Sequence, residues 1–317
     1  MTLEGPAGAV TARPEPGLRL VRAPNPSPMT FSGTNTWIVG TGAVAVIDPG
    51  PRDRRHLEAI LAALEPGEHV HSILVTHAHR DHAPLAQPLS DCTGADVYAA
   101  GDLVSRRRPV MARLAAAEEI GGGEGIDLEF APDHRIDTGD RISGPGWHLD
   151  VLATPGHTAD HLAFRWGDAV FTGDHVMGWA SSLVSPPDGD LVSFMASCDA
   201  LSGIQARVYY PGHGDPVPDP MARLAWLIAH RTSRTEQICA ALQSGPMTPA
   251  ALTQQVYAAL NPDLFPAAER NVLAHLIALS EAGHVAPDGR LSTRARFSLV
   301  ARHNGASTPR RSLKHLL

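Results

Sequence analysis

The chain has 317 residues, which is enough for one large domain with an appendage or for two ordinary domains. Its net charge of −7 and its 43% of hydrophobic residues are typical of a globular protein, and they exclude a general, charge-driven affinity for nucleic acid or anionic membranes. Because the cysteines form no CxxC pair, neither a disulfide framework nor a thiolate zinc site is expected from Cys92, Cys198 and Cys239.

The first segment, residues 1–17, is rich in proline and glycine, and we expect it to be a flexible lead-in. It lacks the basic and apolar stretches of a secretory signal. No apolar run elsewhere approaches the roughly 20 residues that span a bilayer. We therefore expect a soluble, cytoplasmic protein that does not associate with a membrane.

Strand and helix signals then alternate. Apolar, β-branched runs predict strands at 34–40, 43–50, 69–76 and 96–100. Between them, Asp53 is a candidate cap for a helix whose apolar face carries Leu57, Ile60, Leu61 and Leu64. The alanine-rich segment 106–120 predicts a further helix, which a run of three glycines ends.

Three later strands each end in a polar loop, within the segments 147–158, 168–174 and 206–215. Like the strand at 69–76, each leads into a loop that carries histidine or aspartate. Four such junctions at one rim of a sheet are what an active site requires, because functional residues concentrate on loops that a rigid scaffold holds.

The chain becomes helical after Pro218. Helices are predicted at 220–242, 248–260 and 266–283, followed by a hairpin at 284–292 around an Asp-Gly turn. We therefore expect a catalytic domain over 18–218 and a helical, winged-helix-like domain with a basic tail over 219–317. The basic residues of that tail are Arg294, Arg296, Arg302, Arg310, Arg311 and Lys314.

Seven side chains of metal-binding type lie at the four strand junctions. Histidine and carboxylate ligands suit Zn²⁺ and also iron or manganese. A single histidine at a strand end is more often a hydrogen-bonding structural residue, but seven suitable residues at four junctions favour a metal site. They are His77, His79, Asp81, His82, His157, Asp174 and His213.

These motifs resemble the signature of the metallo-β-lactamase superfamily: a His-x-His-x-Asp-His run at 77–82, then Gly-His-Thr, Gly-Asp and Gly-His in that order. The resemblance spans residues 18–215 and implies a mixed α/β (α+β) fold, an αββα sandwich with two divalent metal ions at one edge. Zn²⁺ is the expected metal, with iron or manganese as alternatives. The resemblance implies that the first ion is bound by His77, His79 and His157, the second by Asp81, His82 and His213, and that Asp174 bridges both.

Two neighbouring cations lower the pKa of a water between them, so a metal-bridging hydroxide is the expected nucleophile. Asp81 and Asp174 are the expected catalytic residues, Asp81 by orienting this hydroxide. Asp160 and His161 are candidates for holding the metal ligands in place. The alternative for that pair is an ordinary helix N-terminus.

Within the superfamily, the chain most resembles the lactamase-β-2-like group, through residues 33–36, 172–178 and 185–190 and through its winged-helix-like tail. That group contains single-stranded-RNA endonucleases and members without an assigned substrate. A true β-lactamase is disfavoured, since those enzymes typically have Cys or His where Asp174 stands. Cys198 does not replace it, because it lies in a predicted helix.

Three functions remain. We expect hydrolysis of a small ester, thioester or lactone; the alternative is cleavage of single-stranded RNA, which the basic tail and the winged-helix-like domain favour. A non-catalytic metal-binding protein is the third. The C-terminal domain has alternatives of its own, as a lid or as the dimer element of a homodimer.

Candidates for substrate contact are weaker, and none of them is predicted to be catalytic. Each has an ordinary structural alternative, such as a solvated side chain or a capped turn. They are Arg80, Asn35, Thr36, Ser181, Ser182 and Ser185.

Overall fold

The structure, a computed structural model, describes residues 10–301. Two sheets make up the larger part of the molecule. The first has seven strands, which lie in chain order. Strands one to four are antiparallel, and the last three join in parallel. The strands are β1 (Ala12–Glu15), β2 (Leu18–Arg22), β3 (Asn35–Val39), β4 (Ala43–Ile47), β5 (His69–Leu74), β6 (Asp96–Ala99) and β7 (His134–Arg135).

A five-stranded sheet forms the second half, in the order β12-β11-β10-β9-β8. Its pairs are antiparallel except β11 with β12, which is parallel. The strands are β8 (Arg141–Gly144), β9 (Trp147–Ala153), β10 (Leu162–Trp166), β11 (Ala169–Gly173) and β12 (Val208–Pro211). The sequence had indicated β9, β11 and β12.

Apolar side chains from the two sheets pack against each other in a shared core that includes Trp37, Phe164 and Phe171. Two indole N–H groups link the sheets, since Trp37 donates to the carbonyl of Pro211 at 3.2 Å and Trp147 to that of Ala43 at 2.6 Å. Such bonds satisfy polar atoms that would otherwise be buried without a partner. These two hydrogen bonds therefore fix the position of one sheet relative to the other.

Helices cover both outer faces. α1 (Arg54–Ala62) and α2 (Ala86–Thr93) pack on the first sheet around Ile60 and Leu89. α5 (Leu191–Ser202) and α6 (Pro220–Ala241) pack on the second sheet. In chain order, α3 (Leu103–Arg106) and α4 (Pro109–Ala116) come between these two pairs of helices. The predicted αββα sandwich is confirmed. Asp53 caps α1 as expected, accepting from the N–H of Arg55 at 2.9 Å.

The predicted helix at 106–120 is wrong in its bounds. Arg108, which precedes a proline, has an extended conformation with ψ of 152°, and Pro109 begins α4 anew. A residue before proline is driven out of the helical region by the proline ring. The helix ends at Ala116, and Glu118 has a φ of 55°.

A smaller core lies among α6, α7 (Pro249–Val256), α8 (Phe265–Glu281) and the hairpin strands β13 (Val285–Pro287) and β14 (Phe297–Leu299). Thr248 caps α7 as predicted, accepting from the N–H of Ala251 at 3.2 Å. The return strand of the wing lies beyond the predicted 284–292. Asp288 and Arg296 close a longer loop, because the N–H of each donates to an oxygen of the other at 2.9 and 2.8 Å.

Part of the predicted lead-in is a strand, since β1 pairs with β2, whereas residues 1–9 lie outside the described range. So does the tail from residue 302 onward, with four of its six basic residues. The predicted boundary at residue 218 stays a prediction, because α6 and α8 contribute to two cores. Within residues 10–301 no helix has the length and apolar character needed to cross a membrane.

Candidate metal centre

The four strand junctions meet at one rim of the sandwich. The loop after β5 brings four of the candidate ligands, and the ends of β9, β11 and β12 bring one each. An isolated bridge between Thr34 and His213, together with hydrogen bonds from the Asn35 amide to the carbonyls of Pro211 and Gly214 at 3.0 and 2.8 Å, joins the last junction to the first sheet. Both sheets therefore supply the rim.

Three histidines and an aspartate form the first group. Nδ1 of His79 lies 2.8 Å from Nε2 of His77 and 3.0 Å from Nε2 of His157. Oδ2 of Asp174 lies 3.6 Å from the same atom of His157. The potential ligand atoms of this group all lie within 4.8 Å of one another.

Asp81, His82 and His213 form the second group. Nε2 of His82 and Nε2 of His213 are 3.2 Å apart, and Oδ2 of Asp81 lies 3.3 Å from the first nitrogen and 3.1 Å from the second. Asp174 also reaches this group, with Oδ1 3.5 Å from His82 and Oδ2 3.3 Å from His213. Asp174 thus lies between the two groups.

The protonation of these histidines fits a bound cation. Nδ1 of His157 donates to the carbonyl of Leu183 at 2.7 Å, and Nδ1 of His82 donates to Asp48 at 2.9 Å. The Thr76 hydroxyl donates to Asp48, so it accepts from Nδ1 of His77 at 2.9 Å. In its neutral form, each of these rings therefore turns Nε2, with its lone pair, toward the centre.

Two lone pairs that face each other at hydrogen-bond distance repel each other unless a proton or a metal cation lies between them. The carboxylate of Asp174 gives the same indication. Its Oδ1 is buried and accepts no hydrogen bond within the described part of the chain. Neutral imidazoles and carboxylates are typical ligands of zinc, iron or manganese, so the residues present fit such ions.

The carboxylates of the second group carry negative charge, which protons on its histidines or a bound cation would balance. Burial lowers the pKa of His213, but the carboxylates of Asp174 and Asp81 outweigh burial and raise that pKa to about 9. Burial would raise the pKa of Asp174, yet His213 and His82 hold it well below its usual range. In the first group, burial and the charge of His157 lower the pKa of His79 to about 3. The site as a whole therefore combines ionised carboxylates with neutral first-group imidazoles.

Asp48 is a residue of this site that the sequence reasoning missed. It is 1% exposed, and it accepts from the backbone N–H and the hydroxyl of Thr76 as well as from His82. It follows β4 directly and has a φ of 50°. An aspartate at the end of a strand of five buried apolar residues was the available signal, since a buried carboxylate needs polar partners.

Asp160 and His161 lie behind the ligands, as expected. Asp160 accepts from the N–H of Ala78 at 3.0 Å, and Nε2 of His161 accepts from the N–H of Asp174 at 3.1 Å. Nδ1 of His161 is 2.8 Å from the Thr154 hydroxyl. The alternative, a helix N-terminus, is wrong, because β10 follows this pair.

Gly212 allows the close approach of the β11 and β12 loops. A Cβ at this position would lie 2.5 Å from Oδ1 of Asp174 and 2.7 Å from the ring of His82. Any side chain there would therefore displace two of the candidate ligands.

The remaining candidates have structural roles or face solvent. Arg80 is exposed and donates to the carbonyl of Ile126 at 3.2 Å. Thr36 donates to the carbonyl of Asp48 and Ser182 to that of His175. Cys198 is buried in α5 with its thiol 3.5 Å from His175, as its helical position predicted. Ser181 is half-buried. Ser185 accepts from Arg270 and lines a cleft beside the first group, and Asn35 donates to the carbonyls of Pro211 and Gly214.

Comparison with family models assigns two regions. Residues 29–213 match the metallo-beta-lactamase superfamily, and residues 248–294 match the beta-lactamase associated winged helix domain. A beta-lactamase-like protein 2 homolog from Caenorhabditis elegans is 29% identical over 240 residues, which are 74% of each chain. An atrochrysone carboxyl ACP thioesterase from Aspergillus fumigatus is 30% identical over 228 residues, which are 69% of this chain and 63% of the relative.

Solved structures show the same architecture over nearly the whole chain. A beta-lactamase domain protein from Burkholderia ambifaria superposes with a TM-score of 0.77 at 23% identity, covering 93% of this chain and 94% of its own. A metallo-beta-lactamase family protein from Thermus thermophilus gives a TM-score of 0.72 at 27% identity, covering 90% and 99%. The winged helix region is therefore similar in its placement as well as in its sequence.

Proposed function

Since this chain belongs to the metallo-β-lactamase superfamily and is a hydrolase, we propose that it hydrolyses small thioesters, esters or lactones, thioesters foremost, with two divalent metal ions. The observation that carries the proposal is the convergence of seven ligand side chains into two groups with Asp174 between them. The similarity to a fungal acyl-carrier thioesterase supports the choice of thioesters.

We propose that the first ion is held by His77, His79 and His157 and the second by Asp81, His82 and His213, with Asp174 shared. All donors are nitrogen or oxygen atoms, which favours Zn²⁺ and also suits iron or manganese. When bound, the ions would supply a water of lowered pKa as nucleophile and a Lewis acid for the substrate oxygen.

Of the three carboxylates in the site, Asp81 is the one open to solvent. Its side chain is 27% exposed, against 10% for Asp174 and 2% for Asp48. The hydroxyl of Thr34 donates to its Oδ2 at 3.1 Å and so fixes the plane of the carboxylate. Asp81 can therefore accept a proton from the attacking water and orient that water toward the substrate carbonyl. Asp174 is enclosed and holds the two groups together.

Among the described residues, no specific contact favours RNA as a substrate. Four of the basic residues behind that alternative lie outside the described range, and Arg296 donates to the carbonyl of Pro246 within its own module. Cleavage of RNA and formation of a homodimer stay predictions. An RNA enzyme would bind single strands with an affinity that falls steeply as salt rises, whereas a thioesterase would not.

The test is metal content, measured by plasma mass spectrometry on protein purified without chelator or histidine tag, with thioester hydrolysis assayed on the same sample. We expect about two equivalents and turnover that a chelator abolishes. Asp174→Ala should lower turnover at least about a hundredfold and lose metal, because it removes the ligand common to both groups.

Asp199→Ala is the matched control, since Asp199 is an exposed carboxylate on α5 and should change neither quantity. Metal below one equivalent after reconstitution, or full turnover in the Asp174 variant, would contradict the proposal.

A further inference from the structure

A cleft of about 270 Å³ opens beside the first group. Its lining includes His79 and His157 of that group, and Leu183, Pro266 and Ala267 are its apolar residues. The last two residues lie in the first turn of α8, so the C-terminal helices contribute to the cleft. Its volume is near the lower limit of ligand pockets, which suits part of a small molecule.

Two charged side chains of this lining, the buried Asp188 and the half-buried Arg270, already form hydrogen bonds within the protein. Asp188 accepts from Arg107 at 2.5 Å and from the N–H of Gly123 at 2.6 Å. Arg270 donates to Ser185 at 2.8 Å and also to the carbonyls of Ile120 and Pro186. A ligand that replaced these bonds would gain little, because the protein partners would be left unsatisfied.

The surface left for a ligand is therefore mostly apolar, apart from the two histidines and the exposed Glu124. The lining also carries two acidic residues, the exposed Glu124 and the engaged Asp188. Because these two carboxylates outnumber the one lining arginine, Arg270, a polyanion or a carboxylate gains no net attraction in the cleft. A neutral aliphatic chain, in contrast, gains from contact with Leu183 and Pro266 without costing any hydrogen bond.

We propose that this cleft binds the aliphatic part of the acyl group of the substrate and that Ala267 limits the length of chain it admits. The proposal rests on the proposed function, since two residues of the first group, His79 and His157, line the cleft. If the scissile carbonyl of the substrate lies at the first group, its acyl chain would lie between Leu183 and α8.

Ala267 limits the chain because α8 is fixed against the opposite wall. Asn271, one turn further along, accepts from the N–H of Val184 at 3.0 Å and from Arg231 at 2.9 Å. These bonds join α8 to the segment that carries Leu183. A larger side chain at position 267 must therefore fill the cleft rather than push the helix away.

The experiment compares Ala267→Phe and the smaller Ala267→Leu with the wild type on acetyl, butanoyl, octanoyl and dodecanoyl thioesters of N-acetylcysteamine. We expect kcat/KM for the octanoyl thioester to fall about tenfold or more in Ala267→Phe and less in Ala267→Leu. The value for the acetyl thioester should change by no more than about twofold. Metal content should stay that of the wild type in both variants.

Ala250→Phe is the control, since Ala250 is an exposed alanine in the first turn of α7. Binding of a non-hydrolysable octanoyl thioether analogue, followed by calorimetry, gives a readout independent of turnover. The analogue should bind the wild type and the control, and its affinity for Ala267→Phe should be about tenfold lower or more.

An equal fall for all chain lengths, or no change, would overturn the cleft assignment even if thioesters are hydrolysed. If no thioester is hydrolysed but the thioether binds and is sensitive to position 267, the proposed function fails and the cleft stands. If neither occurs, both fail.

Discussion

Asp48 orients candidate ligands in both groups of the site. It accepts from His82 directly, and through Thr76 it determines which nitrogen of His77 carries the proton. Its own carboxylate belongs to neither of the two ligand groups. Its role is therefore to select the tautomers in which the ligand nitrogens are free of protons.

Asp48→Asn should weaken metal binding about 10–100-fold, the usual effect of losing such a partner. An amide N–H₂ in place of Oδ2 faces the Nδ1–H of His82 and favours the other tautomer, whose Nε2–H blocks the ligand lone pair. Competition with a chromogenic chelator measures the effect. Asp199→Asn is the control, since it makes the same exchange at an exposed position, and its metal affinity should match the wild type. A wild-type metal affinity in Asp48→Asn would show that the Asp48 carboxylate has no such role.

At the scale of elements, two C-terminal helices hold the segment 182–186 against the site. Arg231 in α6 donates to the carbonyl of Ser182, and Asn271 in α8 accepts from Val184. Leu183 lies between Ser182 and Val184, and its backbone carbonyl accepts from Nδ1 of His157 at 2.7 Å. The orientation of a candidate ligand thus depends on helices far along the chain.

Asn271→Ala should release one metal equivalent about tenfold faster to a chelator, because the acceptor that holds the Leu183 segment is gone. Asn271→Asp keeps an oxygen for both Val184 and Arg231 and should restore the slow release. Gln254→Ala, at an exposed position of α7, serves as the control. Unchanged release in the alanine variant would show that this segment does not orient His157.

The elements also show which parts of the molecule the sequence could predict. The strands leading into the site are apolar runs that end in histidine or aspartate, and this local pattern was sufficient to place the four junctions. The wing was misplaced because its return strand pairs through Asp288 and Arg296, a contact without a local signal. Leu183 was missed for a similar reason, since a backbone carbonyl has no signature in the sequence.

At the scale of the whole molecule, the candidate ligands come from both sheets. The loop after β5 belongs to the first sheet, and the loops after β9, β11 and β12 belong to the second. Ions bound among them would join the two halves of the sandwich. Metal binding and folding should therefore be coupled, because the unfolded chain has no preformed site.

Chelation should lower the free energy of unfolding by about 3 kcal/mol for each ion whose free concentration is about 100 times its Kd. Denaturant unfolding with metal and with chelator measures this difference. Asp174→Ala should show a clearly smaller difference, since it has less metal to lose. Equal stability of the wild type with and without metal would contradict the coupling.

The support that α6 and α8 give to Leu183 has a consequence for the order in which the protein matures. During synthesis on the ribosome, all seven candidate ligands emerge before α8 has been made. An ion captured at that stage would meet His157 before α8 holds the segment with Leu183 in place. If the proposed centre forms, α8 should therefore influence when it becomes competent as well as the width of its cleft.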